Sequence, residues 1–463
     1  MRFAQALIIG LAVLNCGCDM PEGVAPFEDI IPYPTDIALY PSEKYGSSPH
    51  PAIPYAEYAY VVASNFDIAY NSGAVKVIDL SLLDELMKED AESDAPIYAK
   101  RFPPEIPTPF TEAVVKDAGV FISNFGGEIK MLENPADKEK ILLVSVRENN
   151  TVTPIRILES GGKLNCFLGE KKRDCGREQS IETGRDDPFG MIILTIPTLK
   201  NPSGTTFLFT SHLRKGEVVF WALDEFLEKK DKTRLEAGSS VVLSRTYGAA
   251  EFAYAAESGL VYLNSRTRDL GAFNVISVFD PIRAVTTGER SYVDEYVDVS
   301  AVIGGEELRG FAVSPDGRRL YVASRAPDAV FILDVSLRPD GTGPRNRITA
   351  IRPVDLNPSR IAYIDLDGEN DLIAVTCTGG DSLYLLDART LDIVQIIQNI
   401  GDGPFAIAVY KRPSIPANGV DLYIMVSNFE ESTLVALRLD PDSRQAIPVA
   451  RIGAVRSRLE DFK

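Results

Sequence analysis

Histidine is nearly absent from this chain of 463 residues, which holds only His50 and His212. A site built from three histidines is therefore excluded, and any imidazole base has to be one of these two. Positive charge is also in short supply: 48 Lys and Arg stand against 66 Asp and Glu, for a formal charge of −18. A body of that sign repels nucleic-acid phosphates, so DNA or RNA binding is not expected. Long apolar runs are missing beyond the first residues, since stretches such as Met191 to Ile196 are of strand length and bounded by Gly or Pro. No Cys-x-x-Cys-His haem site, no Gly-rich phosphate loop and no Gly-x-Ser-x-Gly elbow occurs. The residues thus announce no cofactor and no metal. What is present, 45% hydrophobic residues with 30 Pro and 34 Gly, is the composition of a folded globular chain.

The N-terminus differs from the rest. After Arg2, the segment Ala4 to Leu14 holds eleven residues with one polar member, Gln5. That is about 16 Å of helix, roughly half a bilayer core, which fits the apolar region of a signal peptide and not a membrane span. Asn15-Cys16-Gly17-Cys18-Asp19 follows at once, and a cysteine this close to the apolar segment resembles the lipobox of bacterial lipoproteins. The resemblance implies a leader over residues 1–17, acylation of the Cys18 thiol, a tether over residues 18–33 and a lipid anchor in the envelope, periplasmic or at the cell surface. Small Gly17 favours Cys18 over Cys16, although Asn15 stands where the family prefers an aliphatic residue. A plain secretory signal is the alternative, and it too places the body outside the cytoplasm.

Three cysteines remain. Cys166 and Cys175 bracket a polar, Gly-containing segment and suit a hairpin disulfide in an oxidising compartment. A metal pair fits less well, because no further cysteine or histidine sits nearby to complete four ligands. Cys377, in Ile-Ala-Val-Thr-Cys-Thr, reads as a small buried strand residue.

The body repeats itself. Its clearest unit runs from Gly310 through Ser314-Pro-Asp-Gly317 and Leu320-Tyr-Val-Ala-Ser324 to Val330-Phe-Ile-Leu-Asp334. This is a strand, a Pro-Asp-Gly turn, a second strand, a polar loop and a third strand. The unit resembles the repeat of YVTN-type β-propellers, and six further segments align beside it. The last hydroxyl residue of each second strand falls at Ser64, Ser145, Ser211, Ser265, Ser324, Thr376 and Ser427, in steps of 81, 66, 54, 59, 52 and 51. Steps of roughly 50 to 60 residues suit blades of four short strands. The expected fold is all-β: a single propeller of seven four-stranded blades over residues 34–463, with six or eight blades, or a β-sandwich array, as alternatives. Two insertions account for the long steps, one acidic at about 83–96 and one around the cysteine loop at about 159–187. The acidic run Asp84 to Asp94 lacks the Asp-x-Asp-x-Asp-Gly spacing of a calcium loop and reads as a solvated insertion. Either residues 21–33 or 447–453 could complete the last blade.

The resemblance also implies where ligands would bind, because propeller loops converge on one mouth around a central channel. Residues ahead of the first strands would place Asp36, Glu112, Glu251 and Arg360 there, with Arg309 one position earlier in its blade. The second-strand ends would add Asn65, His212, Arg266, Arg325 and Asn428. Ser-Asn-Phe recurs at Ser64, Ser123 and Ser427; its Asn suits a turn and its Phe suits packing between blades. Two functions follow as expectations. The favoured one is a lipid-anchored binding platform whose channel face takes an envelope protein, peptide or glycan, with no catalysis required. The alternative is a lactonase- or hydrolase-type enzyme using Glu112, Glu251, His212 and Arg360. Paired carboxylates beside a histidine in one pocket would favour the enzyme, whereas salt bridges between blades would disfavour it.

Overall fold

The computed structural model describes residues 28–42, 53–92, 110–134, 137–169, 173–199, 201–214, 216–235, 239–243, 247–267, 275–287, 291–292, 294–299, 307–366, 368–413 and 420–454. Cys18, the leader and His50 lie outside them. Seven sheets follow one another along the chain, antiparallel except where Ser291–Tyr292 adds a short parallel strand to the edge of blade 3. Blade 1 holds Pro34–Pro41, Ala56–Ala63, Gly73–Asp79 and Val120–Ile122. Blades 2 to 7 open with Gly126–Glu133, Pro188–Ile196, Tyr247–Ala255, Leu308–Val313, Pro358–Ile364 and Pro404–Pro413 as their first strands. The chain is a seven-bladed β-propeller.

Strand alternation explains the packing. In Arg319–Arg325, Leu320 and Val322 point into the apolar layer shared with blade 4, and Tyr321 and Ala323 into the layer shared with blade 6. Both faces of a blade are therefore buried, which is why the strands read as near-continuous apolar runs. One such layer fills each of the seven seams, including the seam between blades 7 and 1.

Closure of the ring comes from several segments. Gln445–Ile452 forms the outer strand of blade 7, so the C-terminal alternative completes that blade. Residues before Pro34 contribute differently: Ile31 is buried in the closing seam, and Asp29 O accepts from Ala454 N at 3.0 Å. The acidic insertion departs from its expected solvated state. It begins as helix α1, Leu80–Glu92, which buries Leu80 and Leu83 in the closing seam. Its Asp84 is buried and accepts from Arg412 Nε of blade 7 at 2.6 Å. Cys166 and Cys175 are bonded, with Cα atoms 5.3 Å apart. Their loop runs along the outer edge of blade 1, where Phe121 N donates to Arg173 O and Cys175 N to Phe121 O, covering an exposed strand edge.

The recurring hydroxyl has a bonding role. Ser145 Oγ accepts from Glu128 N in its own first strand at 2.9 Å and donates to Phe189 O of blade 3 at 2.6 Å. Thr376 makes the same pair of bonds to Arg360 N and Phe405 O, and Ser427 to Ala406 N and Pro34 O. Such a hydroxyl satisfies a backbone N–H left over at a bulge and ties two blades together. Close approach does the rest at Gly190, where an added Cβ would lie 1.7 Å from Ala250 O of blade 4. Gly190→Ala should therefore cost about 1–3 kcal/mol, as overpacking does. The urea midpoint would show it, with Gly176→Ala, whose nearest neighbouring atom is 3.7 Å away, as the near-neutral control.

Candidate ligand-binding mouth and central cavity

The first strands line the channel, and each carries a register shift near its start. A bulge re-aims side chains, and here it turns charged and aromatic residues inward. Asp36, Glu128, Lys130, Glu251 and Arg360 line a central cavity of about 220 Å³. Arg360 is its hub: Nη1 lies 3.0 Å from Glu128 Oε1 and 2.7 Å from Glu251 Oε1, joining blades 2, 4 and 6. Glu128 also receives Met191 N at 2.8 Å and lies 3.4 Å from Lys130 Nζ. Asp36 accepts from Ile37 N and Ile129 N, at 3.0 and 2.9 Å.

Burial and pairing pull these groups in opposite directions. Burial pushes Glu128 up, but Lys130 and Arg360 outweigh it and hold it below the usual carboxylate range. Asp36 and Glu251 are raised, because burial exceeds the pull of their cationic neighbours. Burial acts to lower Arg360, yet Glu251, Glu128 and Asp36 together raise it, so the guanidinium stays charged. Its Nε and Nη2 are buried without a hydrogen-bond partner among the described residues.

Above this layer, Arg360 and Arg266 both face the Phe189 ring, at 5.8 and 4.6 Å from its centre, and Arg360 also lies 5.3 Å from the centre of Phe405. Arg325 donates to Ser359 Oγ at 2.6 Å. At the rim, Phe66, Phe125 and Phe429 gather with Tyr33. Ring centres are 5.8 Å apart for Phe66 and Phe125, 5.6 Å for Phe66 and Phe429, and 5.0 Å for Tyr33 and Phe429. The three Ser-Asn-Phe repeats thus pack their rings on one another across the mouth instead of inside separate blade seams. Phe66 is 51% exposed and Ile68 58%. Beside them opens a hollow of about 400 Å³, lined by Phe66, Phe125, Arg147, Glu148, Asp187 and Arg214 among others.

Of the residues singled out in the sequence, Asp36, Glu251 and Arg360 meet in the cavity. Arg266 and Arg325 do not line it; Glu251 acts on both electrostatically, and Asp328 more strongly on Arg325. Arg309 is buried and paired with Glu307. Asn65 and Asn428 are buried and hold loops: Asn65 Nδ2 donates to Tyr70 O and Asn124 Oδ1, and Asn428 Nδ2 to Ile400 O and Thr433 Oγ1. His212 is fully buried, its Nδ1 3.1 Å from Asp186 O and its Nε2 3.2 Å from Thr210 Oγ1, and burial pushes its pKa to about 4. It does not line the cavity with the carboxylates.

Glu112 requires correction. It sits exposed on the turn Thr111–Ala113, next to Phe110, which pairs with the outer strand of blade 7. The inward carboxylate of blade 2 is Glu128. Its signal was present, since Glu128 N bonds the Ser145 hydroxyl 17 residues later, much as Arg360 N bonds Thr376 16 residues later. Lys130 and the aromatic rim had no comparable marker.

No protein-family model matches this chain, and no curated protein matches it either. Solved structures do. Hydrazine synthase of Kuenenia stuttgartiensis superposes with a TM-score of 0.53 at 14% identity, over 89% of this chain and 97% of that one. A candidate 6-phosphogluconolactonase of Bacteroides fragilis gives 0.50 at 13%, over 81% and 86%. Sqt1 of Chaetomium thermophilum, also solved bound to the N-terminus of the ribosomal protein L10, gives 0.50 at 15%, over 94% and 91%. Identities this low carry the fold and no function, so what the chain shares with all three is the β-propeller.

Proposed function

We propose that this chain is a binding propeller whose mouth, around Phe66, takes up a protein or peptide. One observation carries the reading: a cluster of aromatic rings with Phe66 exposed borders a hollow of about 400 Å³, while Glu128 and Glu251 below are engaged by Arg360. Large exposed rings beside a concavity are the usual anchors of an interface. Acid–base catalysis would instead need a carboxylate or imidazole free to meet a substrate. Glu128 and Glu251 share one guanidinium, and His212 is bonded elsewhere. The Gly310 to Ser324 unit supports kinship with YVTN repeats, and the leader with Cys18 supports a lipid-anchored place in the envelope.

A photo-crosslinking phenylalanine analogue at position 66, compared with one at exposed position 351 on the outer strand of blade 5, tests the mouth. A discrete partner adduct is expected from position 66 only. Equal adducts from both positions would remove the mouth as the site. Hydrolysis of a sugar lactone abolished by Glu251→Gln would favour the enzyme. Acyl labelling of wild type against Cys18→Ser tests the anchor, and unchanged labelling of the variant would exclude Cys18.

A further inference from the structure

We propose that the peptide taken up at the mouth is acidic, with a carboxylate received by Arg266 and Arg325 and a neighbouring apolar side chain seated on the Phe66 cluster. This rests on the reading of the mouth as a peptide-binding face and adds the chemistry of the peptide. The body as a whole, at −18, would favour a basic partner, so the local arrangement has to outweigh that field.

The arginines are in local excess. Arg266 lies over the Phe189 ring at 4.6 Å and makes no hydrogen bond or ion pair with a described residue. Arg325 donates to Ser359 Oγ and Pro358 O, both neutral. Two carboxylates act on them without an ion pair: Asp328 on Arg325, itself accepting from Asn357 N at 2.7 Å, and Glu251 on both, already bonded to Arg360 at 2.7 Å. Burial lowers Arg266 to about 9, with Arg325, Arg360 and Arg147 adding to the same effect. A guanidinium buried among like charges gains most from an arriving carboxylate, with which it can form a bidentate pair.

The carboxylates around the neighbouring hollow have donors of their own. Glu148 accepts from Asn124 N and Nδ2 at 2.7 and 3.2 Å, Asp187 is paired with Arg147, and Asp186 accepts from Asn150 Nδ2 at 3.4 Å. A run of ring contacts connects the aromatic rim to Arg266: Phe429 lies 5.9 Å from Phe405, Arg360 stands over both Phe405 and Phe189, and Arg266 over Phe189. A peptide carrying both a carboxylate and a Phe or Leu can meet the two features along this run. A basic peptide would meet the guanidiniums with like charge.

The test uses the full chain and three fluorescein-labelled peptides of twelve residues, identical in their Phe and Leu positions and carrying Glu, Gln or Lys elsewhere. Anisotropy should show the Glu peptide binding at least tenfold more tightly than the Gln peptide, with the Lys peptide weakest. Arg266→Gln should bring the Glu and Gln peptides within about twofold, whereas Arg266→Lys should keep part of the preference. Phe66→Ser should weaken both peptides by the same factor. Equal Glu and Gln affinities that still fall with Phe66→Ser would overturn the acidic preference and leave the binding face standing. Tightest binding of the Lys peptide would overturn it likewise. Absence of binding by all three would end both readings.

Discussion

Arg360→Leu should destabilise the propeller by about 3–5 kcal/mol, the cost of removing one partner from a buried ion pair. The two carboxylates left behind explain the size. Glu251 loses its contact at 2.7 Å, and Glu128 keeps only Lys130 as a cationic partner. Both are buried, and an unpaired buried charge is far more costly than a neutral isostere. Urea unfolding should show a lower midpoint at unchanged slope. Adding Glu128→Gln and Glu251→Gln should restore most of the loss, because the uncompensated charges are then gone. The sign of the pH effect follows. Glu251 is raised even in the wild type, so the folded variant holds its proton more tightly than the unfolded chain does. The variant should be least impaired in acid and progressively more impaired as pH rises towards 7. A loss below about 1 kcal/mol would mean the cavity already hydrates these groups.

His212 should govern part of the acid sensitivity. Its imidazole is buried and titrates at about 4 in the fold, against an ordinary value of 6.5. The folded state prefers the neutral ring, so its stability is fully present above pH 6.5 and is lost as pH falls through 4. The shift corresponds to about 3 kcal/mol at about 1.4 kcal/mol per pH unit. His212→Gln should lower stability at pH 7 but flatten its fall between pH 6.5 and 4 relative to wild type. Measuring the wild-type-minus-variant difference cancels the carboxylates that titrate in the same window. Parallel curves for the two proteins would sink this assignment. The same burial commits both ring nitrogens, to Asp186 O and Thr210 Oγ1.

The blade count was legible because its marker is a recurring hydroxyl, which makes bonds in several blades although Ser64 Oγ and Ser324 Oγ make none among the described residues. A hydroxyl at the end of a second strand serves the bulge of its own blade and the first strand of the next, as Ser145, Thr376 and Ser427 do. Position along the chain was a poorer guide to the site. Glu112 lies ahead of the outer strand of blade 1, Val120–Ile122, which arrives only after the α1 insertion, so counting elements there assigns the channel carboxylate too early. Glu128 takes the inward position because the bulge opposite Ser145 lies at its backbone. The Ser-Asn-Phe repeats were visible as repeats. That their rings converge depends on blades 7, 1 and 2 being neighbours around the mouth.

The amino-acid sequence by itself determined the repeating strands, the turns between them, the hydroxyl at each second strand and, through these, a ring of seven blades. These are local features, set by alternation, turn chemistry and one recurring hydroxyl position per repeat. Which charges face one another was decided only by the tertiary structure. Glu128 and Arg360 are 232 residues apart and meet because the ring brings the inner strands of blades 2 and 6 to a common channel. Nothing within a repeat encodes that encounter. It follows from closure of the ring, which also sets Arg266 over Phe189 with no ion pair among the described residues and leaves Phe66 exposed.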